Sequence, residues 1–215
     1  VSPEAGGRIG PNAVTRLAEA LEELHGPPLT DAIFAAAQLL RYRRAPPSTM
    51  VDETAVTTLH AALRGTLTPQ DAATVARRAG SLTGEYLLAH RIPAPVRALL
   101  RALPAPWAAR LLVRAVARHA WTFTGSGAFS AIAVSGRPPS DTAATPEAGA
   151  GRPRLWLVVR DCPLCRGASA ASPVCDYYAA TFERLFATLV SRSARVHETA
   201  CQANGASACR FEVSW

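Results

Sequence analysis

The residues of this chain best suited to chemistry are its five cysteines, Cys162, Cys165, Cys175, Cys201 and Cys209, all of which fall after residue 160. An odd count clustered in this way favours metal or redox chemistry over a disulfide framework in a reducing compartment. Zinc prefers thiolates with an occasional imidazole or carboxylate, and a structural site supplies four protein ligands in a tetrahedron. Glu198 and Cys201 stand three apart near a predicted strand end, Asn204-Gly205 offers a turn, and Cys209 begins the returning strand, so one hairpin can bring the three together. Cys175 opens a predicted helix, where the partial positive charge of the N-terminus favours a thiolate. One ion on Cys175, Glu198, Cys201 and Cys209 would tie helix to hairpin. Three other readings stay open. Cys162 and Cys165 form a Cys-x-x-Cys knuckle that could pair with Cys201 and Cys209, the same two could act as a redox thiol pair, and all five could simply be buried small apolar side chains.

The elements that must position these side chains follow from the hydrophobic pattern. Val14, Leu17, Leu21 and Leu24 recur at helical spacing until His25-Gly26-Pro27-Pro28. A second helix is expected from Thr30, as N-cap, through Leu40. Others are expected over Glu53 to Leu63, Pro69 to Leu88, Val96 to Leu103 and Trp107 to Arg118, so that five or six helices precede any strand. Residues 120–124 then alternate in the manner of a strand, Gly125 and Gly127 mark a turn, and Phe129 to Val134 reads as the hairpin partner. Residues 136–153, rich in Pro, Gly, Ala, Ser and Thr, read as a mobile loop. Leu155 to Val159 reads as a buried strand, Val174 to Leu189 as a helix, and Ala194 to Cys201 and Cys209 to Val213 as closing strands. The predicted class is α+β: an N-terminal helical layer, residues 1–118, packed on an antiparallel sheet with an inserted helix and a zinc-stapled C-terminal hairpin, residues 119–215, in one compact unit.

Composition narrows the function classes. In 215 residues, 49% of them apolar, the chain can bury one substantial core. Its formal charge of +7 comes from arginine alone, because lysine is absent. No basic stripe interleaved with aromatics and no nucleic-acid-binding motif accompanies that charge, so nucleic acid is not expected as a partner. Arg110, Arg114 and Arg118 interrupt the longest apolar candidates before they reach the roughly 20 residues that span a bilayer. The opening VSPEAGGRIG lacks the pattern of a secretory signal, and the expected location is cytoplasmic.

Cys175-Asp176-Tyr177-Tyr178, Val196-His197-Glu198-Thr199-Ala200-Cys201, Ala203-Asn204-Gly205 and Cys209-Arg210-Phe211 together resemble the closing signature of the 4-vinyl reductase domain. The same signature closes the sensor domains of aromatic-responsive bacterial activators, where a Cys, a Glu and two further Cys hold zinc. Arg91-Ile92-Pro93, Leu103-Pro104, the run from His119 to Gly127, and Cys162-Pro163-Leu164-Cys165 resemble the bacteriochlorophyll-biosynthesis branch of that family. The resemblance spans about residues 8–214, with the loop at 136–153 outside it. It implies structural zinc on Cys175, Glu198, Cys201 and Cys209, with Cys162 and Cys165 as a second thiol pair. It also implies a magnesium porphyrin or related tetrapyrrole as ligand.

Such a ligand calls for a wide apolar pocket, an axial ligand for magnesium and cations for its carboxylates. His119 beside Trp121 and Phe123 is the axial candidate, Trp156 a candidate for the lining, and Arg91 and Arg114 candidates for the carboxylates. Trp107, Trp121, Trp156, Tyr86 and Phe129 are expected in the core, and His25 and His60 at the surface.

The family name implies reduction of a vinyl group, which requires a hydride source. The sequence has no Gly-x-Gly-x-x-Gly after a strand and no βαβ pattern, and a zinc with four protein ligands has no open position. The reading is therefore a carrier that passes a tetrapyrrole between pathway enzymes, such as the magnesium chelatase and the methyltransferase that follows it. The rank below it goes to a vinyl reductase whose reductant or partner comes in trans, and then to a scaffold, as in vesicle-tethering subunits that share the fold by resemblance. A homodimer and a peripheral position at the photosynthetic membrane are further expectations.

Overall fold

The computed structural model describes residues 7–133 and 153–215. The loop expected at 136–153 lies outside the described residues, apart from Pro153. The helical layer comprises α1 (Asn12–His25), α2 (Pro27–Ala36), α3 (Leu40–Arg44), α4 (Glu53–Thr66), α5 (Pro69–His90), α6 (Ala94–Ala102), α7 (Ala105–Arg118) and the single turn α8 (Trp121–Thr124). Two short strands, β1 (Arg8–Ile9) and β2 (Val51–Asp52), pair antiparallel within it, ahead of the expected first strand. The second part runs β3 (Ala128–Ala133), β4 (Pro153–Arg160), α9 (Asp176–Leu189), β5 (Arg195–Ala200) and β6 (Cys209–Ser214).

Punctuation in the sequence sets these boundaries. Gly26, at φ 81, ends α1 and precedes the proline that starts α2. Asp52 accepts the Thr54 backbone N–H at 2.8 Å to cap α4, and Thr68 accepts that of Asp71 at 3.2 Å to cap α5. Prolines within the first two positions of α6 and α7 suit the backbone of a helix start. Two helical expectations change. Thr30 lies inside α2, its hydroxyl donating to the Gly26 carbonyl at 2.9 Å rather than capping, and Gln38 at φ 60 breaks the chain before α3.

The four-stranded sheet is antiparallel throughout, in the order β3-β4-β6-β5. Leu157 sits opposite Ala131 on one side and Phe211 on the other, and Phe211 in turn opposite Glu198. Because alternate residues face alternate sides, Leu155, Leu157, Val159, Cys209, Phe211, Val213, Val196 and Glu198 line one face. Helix α9 lies on that face with its rings in edge contact: Phe182 and Phe211 have centroids 5.6 Å apart, and Phe123 and Tyr178 5.7 Å. The other side of α9 packs on α5. Gly80 permits this approach, since a Cβ there would fall 2.2 Å from the Tyr177 carbonyl oxygen.

Residues 120–124 are not a strand, and β3 pairs with β4 instead of with them. The hydroxyls of Thr122 and Thr124 return to the carbonyls of His119 and Ala120, at 2.7 and 3.0 Å, and so satisfy a helical turn. An alternating run this short carries too little pattern to distinguish the two outcomes.

Candidate metal centre

Five loop and strand-end positions converge on one buried point. Cys175 immediately precedes α9, and its carbonyl accepts the backbone N–H groups of Tyr178 and Ala179 at 2.9 and 3.2 Å. Its own N–H donates to Glu198 Oε2 at 2.7 Å, which ties α9 to β5. Cys201 follows β5 and opens a tight turn in which its carbonyl accepts from Asn204 and Ala206, each at 3.1 Å, before Gly205, at φ 90, sends the chain back to Cys209. Cys162 and Cys165 follow β4. Their knuckle is held from outside: Thr57 Oγ1 donates to the Pro163 carbonyl at 2.8 Å, Arg64 Nη1 to that of Leu164 at 2.9 Å, and the Cys162 N–H to Gln202 Oε1 at 2.8 Å.

All five thiols are at most 2% exposed. Cys175, Cys201 and Cys209 form a near-equilateral triangle, with Sγ separations of 3.8, 3.7 and 3.7 Å. A tetrahedral ion with metal–sulfur bonds of about 2.3 Å has ligand–ligand edges of roughly 3.8 Å, so the triangle already has the dimensions of one face of such a site. Glu198 completes the foursome, with all ligand atoms within 4.8 Å of one another. Its Oε1 is buried without a hydrogen-bond partner, as expected of an oxygen that serves a cation. Burial, reinforced by charge on Cys201 and only partly opposed by the Cys175 N–H, pushes the carboxyl up to about 10. A bound divalent ion reverses that preference. Cys162, Cys165, Cys175 and Cys209 form a second foursome within the same distance. The pairing of Cys162 and Cys165 with Cys201 and Cys209 is not among the foursomes of the described residues. These buried cysteines could hold a metal ion, and none forms a disulfide.

The residues expected at a tetrapyrrole pocket are dispersed. His119 caps the exposed end of α7, with Nδ1 3.0 Å from the Ala115 carbonyl. Trp121 is 58% exposed and Trp107 60% exposed, contrary to the expectation that both are core. Arg114 is exposed on α7, and Arg91 is exposed at the end of α5, 6.0 Å from the Tyr86 ring. Phe123 points inward, edge-on to Phe129 at 5.6 Å. Trp156 is buried on the opposite face of β4 from Leu155 and Leu157, with the Arg210 guanidinium 5.4 Å from its ring centre. The two principal depressions, of about 390 Å³ beside Ala36 and Thr66 and about 550 Å³ beside Arg101 and Arg192, touch none of these residues.

Three features escaped sequence reasoning. Glu53, 5% exposed, accepts from the Ser126 N–H and hydroxyl, both at 2.7 Å, and from Arg166 Nη1 at 2.8 Å, which anchors the residue after Cys165. His60 is fully buried, not superficial, with its ring edge-on to Tyr177 at 5.7 Å. Burial, with a smaller push from Arg64, lowers its pKa to about 3, so it is neutral. Its helical spacing from Val56 and Leu63 was the available signal. Third, between Glu85 and Asp141 there is no acidic residue, while Arg91, Arg97, Arg101, Arg110, Arg114 and Arg118 all fall there.

The model of the 4-vinyl reductase domain matches residues 156–214, which contain all five cysteines and Glu198. Over 211 residues the chain is 44% identical to the bacteriochlorophyll synthase 23 kDa chain of Cereibacter sphaeroides, covering 98% of this chain and 92% of that one. It is 36% identical over 207 residues to the protein of the same name in Rhodobacter capsulatus, covering 95% and 85%.

Proposed function

Because the chain belongs to the family of bacteriochlorophyll synthase 23 kDa chains and carries a 4-vinyl reductase domain, we propose that it serves bacteriochlorophyll biosynthesis as an accessory carrier, holding a magnesium porphyrin or related tetrapyrrole for pathway enzymes. The single observation behind this reading is the exposed strip on α7. Trp107, Arg110, Leu111, Arg114 and Arg118 recur at helical spacing on one face and are all exposed. The Arg110 guanidinium lies 5.4 Å from the Trp107 ring centre, and no carboxylate of the described residues pairs with Arg110, Arg114 or Arg118.

A tetrapyrrole offers a flat apolar face and peripheral carboxylates. An exposed tryptophan can stack on the first, and an unpaired guanidinium can grip the second in bidentate fashion. An open strip also suits hand-over between enzymes better than a closed cavity would. With His119 Nδ1 donating to the Ala115 carbonyl, Nε2 carries the free lone pair that an axial ligand to magnesium needs. We therefore assign ligand contact to His119, Trp121 and Arg114, joined by Trp107 and Arg110, with Arg91 at the rim. Phe123 and Trp156 serve packing.

In the same reading a structural zinc sits on Cys175, Glu198, Cys201 and Cys209. Four protein ligands leave it no open position, so it supplies rigidity rather than reaction chemistry. Zinc would fix α9 and the closing hairpin, and thereby the sheet against which the helical layer packs. We take that layer and the C-terminal part as one folding unit. Its place in this reading is cytoplasmic, at the surface of the photosynthetic membrane. Among the described residues no helix is long and apolar enough to cross a membrane.

The test compares quenching of tryptophan fluorescence by magnesium protoporphyrin in the unaltered chain and in Trp121→Phe and Arg114→Gln. Weaker binding in both variants, with unchanged melting, supports the assignment. Undiminished binding in both would place the ligand elsewhere.

A further inference from the structure

A tetrahedral ion takes four ligands, yet six ligand side chains surround this centre. They divide into two foursomes, Cys162, Cys165, Cys175 and Cys209 on one side and Cys175, Glu198, Cys201 and Cys209 on the other, each with its ligand atoms within 4.8 Å. The two sets share Cys175 and Cys209, whose Sγ atoms are 3.7 Å apart. We propose that the centre holds two divalent ions of the zinc class, bridged by the thiolates of Cys175 and Cys209, with Cys162 and Cys165 completing one ion and Cys201 and Glu198 the other. The second of these ions rests on the zinc reading given above, and the first goes beyond it.

The geometry favours bridging over a spare thiol pair. Cys162 Sγ lies 3.6 Å from Cys175 Sγ, and Cys165 Sγ lies 3.4 Å from Cys209 Sγ. Each knuckle thiol thus reaches a different shared thiol, as two tetrahedra joined along one edge require. The Cys165–Cys209 separation is far above the S–S bond length of about 2.05 Å, so this is not a disulfide. The knuckle is also held as a ligand loop should be, by Thr57, Arg64 and Gln202 on its backbone and by Arg166 on Glu53. Two unused thiols would need none of those supports.

Charge points the same way. Five thiolates and one carboxylate carry six negative charges; one divalent ion would leave four of them in a buried site, and a second leaves two. Each ligating thiol gives its proton to solvent as the ion binds, so no oxidant or reductant is involved. Soft, filled-shell ions suit a site of five sulfurs and one oxygen.

The direct test is metal stoichiometry on the full chain purified under reducing conditions, followed by titration of the demetallated chain with cadmium. Two ions per chain are expected, with two ¹¹³Cd resonances, one from an all-sulfur site and one from a site with an oxygen ligand, coupled to each other through the shared sulfurs. Cys162→Ser combined with Cys165→Ser should reduce the count to one and leave the oxygen-containing resonance. A single ion in the unaltered chain, retained when Cys162 and Cys165 are replaced, would overturn the two-ion centre and leave the zinc reading standing. No tightly bound ion in the unaltered chain would remove both. The unaltered chain decides the matter even if the double variant fails to fold.

Discussion

Glu53 and Arg166 form an ion pair, Oε1 to Nη1 at 2.8 Å, that fastens the first turn of α4 to the residue following Cys165. The same carboxylate also accepts the Ser126 backbone N–H. Gly125 makes room for it, since at φ 59 its Cβ would fall 2.2 Å from Glu53 Oε2. One buried side chain therefore joins the helical layer, the turn before β3 and the cysteine knuckle.

Glu53→Gln keeps the shape and loses the charge. Arg166 is partly exposed, so solvent screens part of the pair, and the expected loss is about 1–2 kcal/mol. Burial pushes the Glu53 carboxyl up, but hydrogen bonds from Ser126 and Arg166 outweigh it and hold the value below the ordinary 4.5. The unfolded chain therefore binds the proton first as pH falls. The stabilisation is full above 4.5 and is lost as pH drops through the lower folded value. Melting curves across that acid range should be flatter for Glu53→Gln than for the unaltered chain.

Stripping the metal should destabilise the C-terminal part. For an ion present at about 1,000 times its dissociation constant the loss is about 4 kcal/mol, read as a fall in the denaturation midpoint after chelation and recovered with added zinc. Cys201→Ser should reproduce the fall and resist recovery. A chelated chain that melts where the loaded one does would remove the structural role.

Gly80→Ala tests the contact between α5 and α9. A methyl 2.2 Å from the Tyr177 carbonyl oxygen forces the helices apart, at a cost of about 1–3 kcal/mol. An unchanged midpoint would show that the two helices are not held at this distance in solution.

His119→Ala, at an exposed helix end, should change stability by less than about 0.5 kcal/mol. It should nevertheless weaken binding of a magnesium porphyrin more than binding of the metal-free porphyrin, because only the first uses an axial nitrogen. Equal loss for both would assign His119 a steric role.

The sequence made the candidate metal centre legible to a large extent, because cysteines at fixed spacing around a turn leave few arrangements open. Periodicity and proline punctuation likewise placed α4 to α7 and α9 to within a few residues. What was not legible depends on contacts distant in sequence. The role of the Cys162–Cys165 knuckle is set by Thr57 and Arg64, about a hundred residues away. Trp107 and Trp121 look like core residues by type, and only packing shows that Phe123, Phe129, Tyr178, Phe182 and Phe211 already fill the space they would need. His60 shows the reverse: a polar residue at core spacing whose burial the pattern allowed but its chemistry argued against.

The most direct measurement is titration of the purified, metal-assayed chain with magnesium protoporphyrin and its monomethyl ester, following the Soret band, with and without reduced nicotinamide nucleotide. The account predicts saturable one-to-one binding that weakens in Arg114→Gln and no vinyl reduction when the donor is added. Binding of neither compound would contradict the carrier reading and favour a scaffold, and donor-dependent loss of the vinyl group would make the chain a reductase.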